Sequence, residues 1–136
     1  MTVRAACPAD LAAIAAIQAA SPEAAQWDPA DYLNHDCRVC EVRGRVAGFL
    51  VTRQIAPGEH EILNLAVDPT ERRKGIAAGL LRDGLAGIQG ACFLEVRESN
   101  QAAIQLYESA GFAFAGRRSG YYQQPAEEAI VMRWVS

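Results

Sequence analysis

The chain has 136 residues, 51% of them apolar and 21% charged, with a net charge of −3. That length suits one domain with a single core. The mild acidity argues against a general nucleic-acid or membrane-surface binder, which would be basic, and no apolar run reaches the roughly 18 residues of a membrane span.

TVRAA opens the chain as a short strand. Pro8-Ala9-Asp10 then starts an alanine-rich helix from Leu11 to about Ala20, with Leu11, Ile14 and Ile17 on one stripe. Asp10 and this helix-start signal set the segment apart from a signal peptide, and the chain reads as cytoplasmic. In SPEAAQWDPADYL two prolines break the pattern, and Pro29-Ala30-Asp31 can open a second short helix. CRVCEVRGRVAGFLVTRQIA reads as a hairpin turning at Arg43-Gly44-Arg45. Pro57-Gly58 makes a further turn, and EHEILNLAV is a strand ended by Asp68-Pro69. A helix is expected from Lys74 or Gly75 to about Ile88, and then ACFLEVRE as a strand. Ser99-Asn100 is a cap signal for a helix from Gln101 that stops at Gly111, a glycine suited to the position after a helix C-cap. FAFAGRR and EEAIVMRWV form a last strand pair around a loop holding Tyr121, Tyr122 and Pro125. The order β-α-α-βββ-α-β-α-ββ implies a mixed α/β fold. Its sheet is mainly antiparallel, with one parallel strand–helix–strand crossover and flanking helices, in a single domain over residues 1–136.

There are four cysteines. Cys37 and Cys40 have C-x-x-C spacing, but RVCEV alternates like a strand, so positions three apart face opposite sides. No second pair or paired histidines complete a site, and no metal is expected. Cys92 lacks an adjacent base that would make it an acyl-carrying nucleophile. Alternation also sets it on the opposite strand face from Glu95. His35 and His60 read as surface residues.

ERRKGIAAGLL poses the main question. Three cations precede a helix whose N-terminus is already the positive end of the peptide dipole. An anion resolves the conflict: backbone N–H groups at a helix start bind phosphate oxygens, and Gly75 and Ala77 allow close approach. A solvated basic turn remains an equal alternative from these residues alone. The segment lacks the P-loop pattern and the G-x-G-x-x-G fingerprint.

Arg72-Arg73-Lys74-Gly75-Ile76-Ala77 resembles motif A of the GNAT acetyltransferase superfamily, [Q/R]-x-x-G-x-[G/A], with LAVDP before it and GLL after it. FLEVRESNQAAIQLYESAGF and GRRSGYYQQPAEEAIVM are similar to the RimI-type family, the bacterial ribosomal-protein-alanine N-acetyltransferases. The similarity is strong from about Glu61 to Met132. It implies a GNAT fold and an acetyl-CoA cosubstrate. Leu65, Ala66 and Val67 would offer backbone hydrogen bonds to the pantetheine arm. Arg73, Lys74, Gly75, Ile76, Ala77 and Ala78 would cradle the pyrophosphate, with Arg72 at the head of the motif. Asn100 would contact the pantetheine or nearby groups. Glu95 of LEVR matches the family's proposed general base, and its apolar strand setting suits a carboxylate of raised basicity. Tyr107 matches the proton donor near the sulfur. Glu61 is the rival base, at a position where a lysine-acetylating GNAT branch carries its glutamate.

Tyr121, Tyr122, Trp27 and Tyr32 fit a wall for the amine, and Glu127 and Glu128 could attract a cation. Ala24-Ala25-Gln26-Trp27 departs from the RimI type's Phe-x-x-Pro-Trp-like sequence, and the segment between motif A and LEVR is shorter. The implied acceptor is a protein N-terminal α-amine, such as that of a ribosomal protein, reached by direct transfer in a ternary complex. A lysine or small-molecule amine, or a non-catalytic acyl-CoA-binding module, are the alternatives. The expected state is monomer or homodimer, with no membrane or direct nucleic-acid partner expected.

Overall fold

The computed structural model describes residues 1–123 and 126–136, with side chains outside 120–126. Seven strands form one mixed sheet in the order β1-β2-β3-β4-β5-β7-β6. They are β1 (Thr2–Ala5), β2 (Asp36–Val42), β3 (Arg45–Ala56), β4 (Glu59–Val67), β5 (Ala91–Arg97), β6 (Ala113–Gln123) and β7 (Ala126–Val135). The helices are α1 (Leu11–Ala19), α2 (Ile76–Ala86) and α3 (Gln101–Ser109). This is the expected element order. No helix of the described residues is long and apolar enough to cross a membrane.

The last strand pair differs from expectation. Tyr121 and Tyr122 belong to β6 rather than a loop, since the strand runs on to Gln123 through a register irregularity between Arg118 and Tyr122. Pro29 opens the expected second short helix, a 3₁₀ helix over Pro29–Asn34. The chain divides into two compact units: Met1–Arg53 with Ile62–Gly87, and Gln54–Glu61 with Ile88–Ser136.

In the first unit β1, β2 and β3 are antiparallel neighbours. Arg43 and Gly44 both take left-handed φ, 52° and 75°, at the tight β2–β3 turn. Phe49 and Val51 of β3 join a core with Ile14, Ile17, Tyr32, Cys37, Val39 and Ala66. The other face of β3 meets α2. A Cβ at Gly84 would stand 2.5 Å from Leu50 Cδ2, so the glycine lets the helix lie close to the strand. Ile76, Leu80, Leu81 and Leu85 bury the inner side of α2. Each such side chain contributes about 2 kcal/mol of transfer free energy, which fixes where the N-terminus of α2 points.

In the second unit the start of β4 runs parallel to β5, from Glu59 opposite Ala91 to Glu61 opposite Phe93. β7 is antiparallel to both β5 and β6. Asn100 caps α3, its side chain accepting from Ala103 N at 3.2 Å. At the other end Gly111 adopts φ 103°. Gly111 N donates to Glu108 O and Phe112 N to Tyr107 O, each at 3.0 Å. This is a Schellman motif, built on a conformation that suits glycine.

Candidate active site

In the first unit β4 leads through a short turn into α2. Asp68 Oδ1 accepts from Thr70 N at 3.0 Å and from Thr70 Oγ at 2.9 Å, which holds its carboxyl below the usual range. Arg73 then takes φ 66° and Gly75 φ 77°, and α2 begins. A left-handed φ is costly for arginine, so the turn is held by its surroundings. Among the described residues no side chain caps the helix, and no acidic residue occupies its first turn. The N–H groups at such a start lack intrahelical partners. A Cβ built on Gly75 meets nothing within 4 Å. The glycine is therefore needed for its backbone conformation, and open space lies above it.

The basic side chains of this turn have separate commitments. Arg72, Arg73 and Lys74 are all exposed. Lys74 Nζ pairs with Glu71 Oε2 at 2.8 Å, and Arg43 Nη2 with Glu71 Oε1 at 3.0 Å. The Lys74 hydrogen bond holds the Glu71 carboxyl below its ordinary range. The Arg72 guanidinium donates to Val67 O, Ser21 Oγ and Glu23 Oε1. Leu65, Ala66 and Val67 lie at the end of β4, where Leu65 N donates to Asn64 Oδ1 at 3.0 Å. A cavity of about 350 Å³ in this unit is lined by Ala16, Ala20, Arg45, Val46, Asp68 and Pro69. It includes none of the residues expected to hold the cofactor.

In the second unit Glu95 sits mid-β5, flanked by buried Leu94 and Val96. Its side chain is 25% exposed and its Oε1 pairs with Arg118 Nη2 at 2.8 Å. The expected apolar setting is thus replaced by a partly solvated, ion-paired one. Glu61, opposite Phe93, lies on the same sheet face as Glu95, because side chains alternate along each strand. Tyr107 is buried, and its ring meets Phe112 edge-on with centroids 5.7 Å apart. Those two residues are the C3 and C″ positions of the Schellman motif, whose usual apolar contact they supply. The cap of α3 therefore orients the phenol. Asn100 uses its Oδ1 to cap the same helix.

Several expectations change. Glu127 is committed to Arg97 Nη1 at 3.1 Å, Ser99 N at 2.9 Å and Ser99 Oγ at 3.0 Å. Glu128 accepts from Arg117 Nη1 and Ser119 Oγ, both at 3.0 Å. Tyr32 is 2% exposed, so it belongs to the core and not to a substrate wall. Trp27 is 56% exposed. The side chains of Tyr121 and Tyr122 lie outside the described residues. Cys92 faces away from Glu95 and is fully buried, its thiol pushed up to about 12 by burial. His60 is its register partner across β4 and β5. Among the described residues no three His, Cys, Asp or Glu side chains group as metal ligands.

One polar cluster was not foreseen from the sequence. Buried Asn64 donates through Nδ2 to Gln18 Oε1 and Tyr32 Oη at 3.0 Å, and to Ala25 O at 2.8 Å. Gln18 Nε2 in turn donates to Trp27 O. The cluster ties residues 25–27 to β4 through contacts 32 to 46 residues apart. Its only sequence signal is an asparagine at a core position of an apolar strand.

A model described as the acetyltransferase (GNAT) family matches residues 10–112. The chain is 42% identical over 103 residues to an uncharacterized Mycobacterium leprae protein, covering 69% of this chain and 28% of that one. It is 40% identical over 95 residues to the [ribosomal protein bS18]-alanine N-acetyltransferase of Escherichia coli strain K12, covering 65% of this chain and 64% of that one. The matches thus span less than two thirds of these relatives. The crystal structure of the Escherichia coli ribosomal-protein-S18-alanine N-acetyltransferase superposes with TM-score 0.82 at 31% identity, covering 98% of this chain and 92% of that one.

Proposed function

The chain belongs to the acetyltransferase (GNAT) family, and from that membership we propose that residues 1–136 act as one domain moving an acetyl group from acetyl-CoA to a protein N-terminal α-amine. The observation that carries this reading is the start of α2. A left-handed glycine, an uncapped first turn and open space over Gly75 fit a pyrophosphate, with Arg73 and Lys74 beside it. The Escherichia coli relative, whose name specifies a ribosomal-protein alanine, supports an N-terminal acceptor.

Bound acetyl-CoA would supply an activated thioester. The chain's own residues then have distinct tasks. Arg73, Lys74, Gly75, Ile76, Ala77 and Ala78 hold the pyrophosphate. Ala66 and Val67 offer backbone groups to the pantetheine arm, and Leu65 offers its carbonyl, its N–H being taken by Asn64. Asn100 offers its side-chain amide N–H groups, its oxygen being used in the cap. Glu95 accepts the proton that the acceptor ammonium must lose, and to do so exchanges the Arg118 guanidinium for the amine. Tyr107 donates its phenolic proton to the departing sulfur.

A second reading makes Glu61 the base, with a lysine or small amine as acceptor. It draws on the register that sets Glu61 on the face of Glu95. Transfer of labelled acetyl to two peptide sets separates them. One set has free N-terminal Ala, Ser, Met or Gly; the other has blocked termini and internal lysines. Label confined to the free-ended set is expected. Label confined to the lysine set sinks the N-terminal reading. CoA binding with no label in either points to a small-molecule acceptor or a binding module.

A further inference from the structure

Arg72 stands at the head of the anion-binding turn, yet its guanidinium is held by groups from elsewhere in its unit. Nε donates to Val67 O at 3.3 Å. Nη2 donates to Ser21 Oγ at 3.1 Å and to Glu23 Oε1 at 2.8 Å. Ser21 is 1% exposed. Its N–H donates to Gln18 O, and its carbonyl accepts from Ala24 N and from Gln26 Nε2. Asn64 secures Ala25 O in the same segment. The far end of the contact is therefore braced, and Arg72 fastens the turn to it.

The backbone shows what that fastening achieves. Arg72 is extended, with φ −69° and ψ 159°. The next residue, Arg73, is left-handed at φ 66°. A non-glycine residue holds that conformation only where its neighbours fix it, and Arg72 is the neighbour with three anchors.

We propose that Ser21 and Glu23 are positioning residues for the anion-binding turn. They act through Arg72, which grips protein while Arg73, Lys74 and the first-turn N–H groups of α2 meet the phosphates. The nature of the ligand rests on the acetyltransferase reading; the clamp itself rests on the contacts of Arg72. Lysine cannot take its place, because a single ammonium lacks the guanidinium fork that spans these acceptors.

Titration calorimetry with CoA, and separately with inorganic pyrophosphate, tests the idea on wild type, Glu23→Ala, Ser21→Ala, Arg72→Ala, Arg72→Lys and the double variant Glu23→Ala/Arg72→Ala. The sign of the Glu23→Ala effect decides. Removing an acidic side chain should favour an anion by charge alone. If Arg72 contacted phosphate directly, its release from Glu23 would tighten binding further. The clamp predicts the opposite: CoA binding about three- to tenfold weaker, consistent with a half-exposed pair, with a melting temperature lowered by no more than a few degrees. The double variant should bind no worse than Arg72→Ala alone, and Arg72→Lys should resemble Arg72→Ala. Tighter or unchanged binding in both Glu23→Ala and Ser21→Ala, or additive losses in the double variant, overturns the clamp and leaves the acetyltransferase reading standing. Wild-type protein that binds neither CoA nor pyrophosphate overturns both.

Discussion

Glu95 meets an arginine before it meets any substrate. Its carboxylate is paired with Arg118, so under the proposed mechanism the acceptor ammonium replaces one cation with another. Glu95→Gln removes the carboxylate proposed as the proton acceptor, with little change of shape. It should lower kcat/KM by about 10²- to 10⁴-fold in the peptide assay, while Glu61→Gln should leave it within a few-fold. The reverse result would make Glu61 the base. Asp10 is a purely structural carboxylate, buried and joined to Arg4 through both oxygens at 2.8 and 2.9 Å, with Cys7 N donating at 2.8 Å. The Arg4 hydrogen bond draws its pKa well below the usual carboxylate range. A pKa lowered by folding stabilises the protein above the unfolded value and loses that contribution as pH falls. Stability should therefore decline from about pH 4 downward. Asp10→Asn should cost about 1 kcal/mol at neutral pH in a denaturant titration and flatten that acid dependence.

The C-terminal cap of α3 links a helix end to Tyr107, the residue proposed as the proton donor. Gly111 has φ 103°, and a Cβ there would stand 3.1 Å from Trp134 Cδ1. Gly111→Ala should cost about 1–2 kcal/mol from the left-handed backbone alone. Because the same cap holds the Tyr107 ring against Phe112, it should lower kcat more than it raises KM for acetyl-CoA. A variant that loses stability but keeps kcat would separate the cap from the phenol. The cap was legible in the sequence, because Asn100 and Gly111 bracket the helix with residues suited to each end. The run of β6 through Tyr121 and Tyr122 was not. Its glycines and the nearby proline read as a loop, whereas pairing with β7 resumes at Tyr122 opposite Glu127.

Across the whole chain, periodicity and turn residues yielded the element order, and the motif order pointed to the family. What stayed hidden are side-chain contacts between distant positions: Asn64 with Gln18, Arg72 with Glu23, Arg118 with Glu95. Local pattern encodes which face of a strand is buried, but not which polar group waits there. The thiols are a global check on burial. Cys7 is exposed, while Cys37, Cys40 and Cys92 are buried, with the Cys37 and Cys92 thiols pushed up to about 11 and about 12 by burial. A thiol reagent at neutral pH should label one cysteine in the native protein and four after denaturation; fast labelling of three or four would contradict the fold.

The exposure of Trp27 carries an optical consequence. The chain has two indoles, one open to water in the first unit and one, Trp134, beside Gly111 in the second. Water relaxes around an excited indole and shifts its emission to the red, so Trp27 dominates the long-wavelength edge of the fluorescence. Trp27→Phe leaves Trp134 as the sole emitter, and its light then reports on the helix cap that seats Tyr107.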